Sequence, residues 1–173
     1  MRTEYISEKD LSDLPKIMGT KDVINWSISS SFAIKTLPDE QYLPAHEFFR
    51  EPDLDHTLIP GPAFPTGVSF ILQGISLHPV VMSKCPISEL MRLGQGCLHL
   101  IVANIVIWQG SVQDCLSIYG IPGHNRHKFT QYPVISPVLS FSLRWTSYLS
   151  IRTRYIPNIT AILSGDLIRP RGV

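Results

Sequence analysis

The eleven residues from His46 to His56 gather two imidazoles with the carboxylates of Glu47, Glu51, Asp53 and Asp55. Imidazole and carboxylate oxygens suit a hard or borderline divalent cation, so His46, Asp53, Asp55 and His56 are candidate metal ligands. No HExxH or comparable ligand spacing accompanies them, and Pro52 breaks any shared helix face. An exposed polar loop is the competing reading. Cys97 and His99 stand two apart, which on a strand points a thiol and a base to the same side. The apolar neighbours Leu98 and Leu100 instead favour an inert core cysteine. A third group is cationic. Arg144, Arg152 and Arg154 share the polar parity of one alternating segment, with Tyr148 among them, while Arg126 and Lys128 flank His127 in a second cluster that also holds His124. Guanidinium forks engage phosphate and carboxylate, and a β surface carrying arginine and aromatics can meet nucleic acid. These five cations are the candidate anion-binding residues, against the simpler reading that strand arginines keep an edge soluble.

The element that must carry the arginines runs from 139 to 155. Odd positions hold Leu139, Phe141, Leu143, Trp145, Ser147, Leu149, Ile151, Thr153 and Tyr155, and even positions are serine, threonine, tyrosine or arginine. Period-two alternation predicts β structure. Its length exceeds an ordinary strand, so a hairpin turning at Thr146-Ser147-Tyr148, or a bent strand, is expected. Upstream, Ser7 opens a helix that Pro15 limits, and Thr20 can cap a second segment in which Ile24, Ile28 and Phe32 repeat at four-residue spacing. That repeat favours a helix over 20–32, although Ile24, Trp26 and Ile28 also alternate. Residues 57–66 hold three prolines and a glycine, a stiff turn or linker. Beyond it, 68–75 and 77–82 read as short strands interrupted by Gly74 and Pro79. A helix follows Pro86 and stops at Gly94. Residues 97–108 are too short to span a bilayer and suit a buried strand or core helix. Ser111 with Asp114 resembles a capping box opening a helix that ends at Gly120, before a polar loop.

The chain has 173 residues and a net charge of +1, enough length for one core-forming domain. Residues 1–60 hold 11 acidic and 6 basic side chains, whereas 61–173 hold 3 acidic and 9 basic. An acidic head and a basic body can neutralise each other, or the basic part can meet an anionic partner. So few acids over so long a stretch is a bias that an overlapping or recently recruited reading frame would produce. The expected organisation is α+β: an acidic, mostly helical segment over 1–60, a mixed body over 61–157, and a mobile basic tail over 158–173. The hydrophilic start lacks an apolar leader core, and three unpaired-looking cysteines suit a reducing setting, so an intracellular location, cytoplasmic or nuclear, is expected without a transmembrane helix.

Two short stretches resemble known families. Residues 59–67, IPGPAFPTG, resemble a Pro/Gly-rich motif of the type IIA topoisomerase A subunit, with Ala63 where that family has an acid. Residues 14–36 are similar to an F-box helix pair, which implies helices there. No phosphate-cradling or nucleophile-elbow motif is present. The sequence thus leads to an expectation of a non-enzymatic interaction protein, without a cofactor, that meets nucleic acid or an acidic protein surface through its basic β face. The alternative is a metal-dependent enzyme using the cluster at 46–56.

Overall fold

A computed structural model of the chain describes residues 4–17, 21–34, 41–42, 45–50, 63–117, 126–146, 150–152 and 154–171. In chain order the elements are β1 (Tyr5–Ile6), α1 (Glu8–Ile17), β2 (Lys21–Ala33), β3 (Gln41–Tyr42), β4 (His46–Phe48) and β5 (Ser69–Val80). There follow α2 (Ile87–Gly94), β6 (Cys97–Val102), β7 (Ile105–Ser111), α3 (Val112–Cys115), β8 (His127–Lys128) and β9 (Tyr132–Ile135). The last are β10 (Phe141–Thr146), β11 (Ser150–Ile151) and β12 (Asn158–Pro170). The protein is mostly β, which corrects the α+β expectation: among the described residues of 1–60, α1 is the one α-helix.

The larger sheet has the order β1-β9-β5-β12-β2, with β8 also on β5, and the smaller has the order β4-β10-β6-β7; all these pairings are antiparallel. Their facing sides share one core. Phe70, Leu72, Ile75 and Leu77 of β5, with Ile159 and Leu163 of β12, meet Leu98, Leu100, Leu143 and Trp145 of the smaller sheet, all fully buried. A second cluster lies on the opposite side of the larger sheet, where Leu14 of α1 covers Ile71, Val134 and Ile168.

The helix expected over 20–32 is the edge strand β2, and the F-box likeness fails with it. A spacing of four is a multiple of two, so Ile24, Ile28 and Phe32 satisfy a strand as well as a helix. Serines at 27, 29 and 31 settle the choice, because serine competes for its own backbone in a helix and is easily carried on a solvated sheet face. Their even-numbered neighbours Trp26, Ile28 and Phe32 join the core.

The two short strands expected over 68–82 are one strand, β5, whose phase shifts in the middle. Its pairing with β12 passes from Ser164↔Gly74 to Gly165↔Leu72, leaving Gln73 extra. This bulge changes the inward parity from odd (Ile75, Leu77) to even (Leu72, Phe70) and turns Ile71 toward α1. Pro79 lies past the stretch that β8 and β9 pair with, where it disturbs neither pairing. Residues 97–108 form most of a hairpin, turned at Ala103-Asn104 with both φ angles positive (49° and 64°).

Residues 158–170, expected as a mobile tail, form β12, the strand hydrogen-bonded between β5 and β2. Leucine and isoleucine at alternate positions make it a core strand despite its arginine. The 139–155 segment keeps its β character and loses its hairpin: β10 is flanked by β4 and β6, while β11 pairs with β3. Both edges of β10 are taken, so β11 has no place beside it; the proposed turn residues 147–149 lie outside the described set. Helix α2 starts after Pro86 and ends at Gly94 as its sequence implies. Helix α3 begins at its Ser111 cap, which accepts from Gln113 N–H at 3.1 Å, but stops at Cys115. There the chain leaves to bridge β5, Ser117 N–H donating to Leu77 O at 2.7 Å.

Candidate functional site

Directly opposed residues in an antiparallel sheet share a face. On the outer side of the smaller sheet this places Glu47 (β4), Arg144 (β10), His99 (β6) and Gln109 (β7) in one row across all four strands. Beside it run a row of Ser142, Ile101 and Val106 and a row of Thr146, Cys97 and Ser111. Alternation supplies the geometry, since each strand sends Leu, Phe or Trp inward and a polar group outward.

Glu47 organises the charges of this face. Its carboxylate accepts from Arg144 Nε at 2.9 Å and from Arg144 Nη2, and Arg50 Nη1 approaches it at 3.5 Å. Arg50 is brought back by Phe49, a buried residue at φ +67° whose N–H donates to the buried Ser30 hydroxyl at 3.2 Å. A positive φ is unusual for a bulky side chain and is held here by packing on both sides. Two guanidinium groups thus share one carboxylate, so the group keeps one net positive charge. They line a cleft of about 490 Å³ with Asn104, Ser140, Ser142 and Val106. The arginine side chains are 46% and 70% exposed, against 17% for Glu47.

Cys97 and His99 do point to the same side, with Sγ 3.9 Å from Nε2, and His99 Nδ1 is enclosed without a hydrogen-bond partner. The Cys97 thiol is buried.

The other expected anion-binding residues are dispersed. Arg152 lies against Glu89 of α2, its Nε 3.8 Å from one carboxylate oxygen and its backbone N–H donating to the other at 3.3 Å. Arg154 stacks over Tyr155 at 4.9 Å. Lys128 belongs to β8 of the larger sheet, and the side chain of Arg126, just before that strand, lies across Gly74. His127, between Trp108 and Phe129 at ring distances of 4.7 and 4.9 Å, is held below the usual imidazole range by burial, which outweighs the opposing pull of Asp114. It therefore adds no charge to the loop at neutral pH.

The metal cluster does not assemble in the part that can be described. His46 faces inward, stacked on Phe32 at 3.8 Å and edge-on to Phe48 at 4.7 Å. Asp53, Asp55 and His56 lie outside the described residues. Among the described residues no three His, Cys, Asp or Glu side chains come together as a metal site. Glu47, from the same segment, serves arginine instead. With Asp22 meeting Arg171 Nε at 3.3 Å, it neutralises part of the basic body from the acidic head.

Cys85 and Cys115 are poor nucleophiles. Burial pushes the Cys115 thiol up to about 12, with Asp114 adding to the rise and a hydrogen bond with His127 opposing it. Burial and then Glu89 raise Cys85 as well. Alkylation of the native protein at about pH 8 should therefore modify Cys85 slowly and leave Cys115 intact, as peptide mapping would read out. A thiol that holds its proton longer when folded contributes stability that is whole below its unfolded value, about 8.5. That contribution falls as pH rises toward 12. Rapid labelling of Cys115 in native protein would contradict its enclosure.

No helix among the described residues is long and apolar enough to cross a membrane. A scan against protein-family models and a search of curated proteins return no match to this chain.

Proposed function

We propose that the protein is a non-enzymatic interaction protein and that the outer face of its smaller sheet receives an acidic segment of a partner protein. The observation that supports this reading is the Glu47 carboxylate shared by Arg50 and Arg144 in an open cleft. Two forks on one acid leave donor capacity for an incoming carboxylate, and Ser140, Ser142 and Asn104 can complete its hydrogen bonding. Nucleic acid fits less well. Binding along a polyanion needs cations spaced to meet successive phosphates, whereas Arg152 and Arg171 are tied to Glu89 and Asp22.

Fluorescence anisotropy with a labelled Glu/Asp-rich peptide and a single-stranded oligonucleotide of equal length tests the choice. The peptide should bind in a salt-sensitive manner. Arg144→Glu should weaken it at least about tenfold, the scale of losing a charge-assisted hydrogen bond. Glu47→Gln should tighten it by releasing both guanidinium groups. If the oligonucleotide binds more tightly than the peptide, or if Arg144→Glu leaves peptide affinity unchanged, the reading fails.

A further inference from the structure

The inner sides of β2 and β12 extend beyond the reach of the smaller sheet. There Ile24 and Trp26 of β2 and Leu167 of β12 continue the core surface, and Phe64 and Val68 from the segment before β5 close one side. The result is a second, largely apolar cleft of about 460 Å³. That volume is within the range of sites for small organic ligands, which are mostly apolar with a few placed polar groups.

Among the described residues, Arg169 is the one charged side chain lining this cleft. Its Nε is enclosed and has no hydrogen-bond acceptor among the described residues. The nearby acids are committed elsewhere. Asp22 stands directly opposite Arg169 in the pairing of β12 with β2, yet its carboxylate is taken by Arg171. Asp166 sits on the opposite face, where it accepts from Gln73 at 2.7 Å and Asn25 at 3.3 Å. No carboxylate among the described residues pairs with this guanidinium, and an anionic ligand at the cleft would supply one.

We propose that this cleft binds a fatty acid, its hydrocarbon tail along Trp26 and Leu167 and its carboxylate on Arg169. The occupant follows from the lining: an apolar trough wants an unbranched or weakly polar body, and one unpaired cation wants one negative head. This site is separate from the Arg144 face, and neither needs the other.

The test uses the full chain, stripped of lipid, with Trp108→Phe and Trp145→Phe so that Trp26 fluorescence follows titration by laurate, by shorter saturated acids and by dodecanol, and with calorimetry of the unsubstituted chain beside it. Laurate should bind saturably and more tightly than dodecanol. Each methylene added to the acid should tighten binding about fourfold until the cleft is full. Arg169→Met should weaken laurate at least about tenfold and leave dodecanol unchanged. Arg169→Lys, which keeps the charge without the fork, should fall between. Val68→Phe, narrowing the cleft, should weaken acid and alcohol together. Equal affinity for laurate and dodecanol on the unsubstituted chain would overturn the proposal without recourse to any variant. So would an absence of saturable laurate binding, or preferential binding of a short apolar peptide through its terminal carboxylate.

Discussion

Gly165→Ala is expected to cost at least about 3 kcal/mol, a large part of the about 5–15 kcal/mol that usually holds a domain folded. The cause is the bulge in β5. With Gln73 extra, the β5 backbone moves toward β12, and a methyl group on residue 165 would stand 1.9 Å from the carbonyl oxygen of Ile71. Neither partner can yield cheaply, because both are backbone at the centre of the larger sheet. A side chain could rotate away; a ladder carbonyl cannot move without breaking its pairing. Urea unfolding of Gly165→Ala beside Gly110→Ala separates this effect from the general loss of glycine. At residue 110 the added methyl meets the flexible Trp108 ring rather than backbone. A Gly165→Ala protein with unchanged midpoint would show that the bulge is placed wrongly.

Glu89→Leu should also be damaging, at about 1–3 kcal/mol. Glu89 is 2% exposed and, among the described residues, is the one charged side chain that is buried. It accepts from the backbone N–H of Arg152 and lies within 3.8 Å of the Arg152 and Arg92 side chains. Leucine would keep the volume and remove both the acceptor of the Arg152 backbone N–H and the carboxylate that the two guanidinium groups face. Glu89→Gln should be milder, since an amide oxygen can still accept from the Arg152 backbone. A thermal melt that ranks the unsubstituted chain first, Gln second and Leu last supports the assignment. Equal melting of the two variants would mean that charge and hydrogen bonding at residue 89 are immaterial.

Much of this was legible locally and little of it globally. Alternation over 141–145 is carried by β10, because a half-buried strand writes its own period into the chain. The same logic misleads at Ile24, Ile28 and Phe32, where one spacing serves two periods. Over 69–80 the bulge erases the pattern, since the residues facing inward change parity at Gln73. The turn at Ala103-Asn104 was hidden by apolar neighbours, although asparagine is a residue that tolerates the left-handed region. Arginine positions were readable, but their partners were not: Glu47 is 97 residues from Arg144, and only strand order brings them together. Sequence reasoning also passed over Arg169 as part of a tail. The signal was there in the alternation of Ile159, Ala161, Leu163 and Leu167, which marks a strand whose same-parity arginine must point inward.

The place of β12 between β2 and β5 has a consequence for synthesis. Asn25 and Asp166 touch across 141 positions of chain, so β2 leaves the ribosome long before β12, its neighbour in the sheet among the described residues, exists. Until then both β2 and one side of β5 present open strands to solvent, to chaperones and to each other's copies on the same messenger. Contacts so distant in sequence make for slow folding, and slow folding with exposed strands favours aggregation. The yield of native protein should therefore depend on the rate of translation and on chaperone supply more than its final stability would suggest.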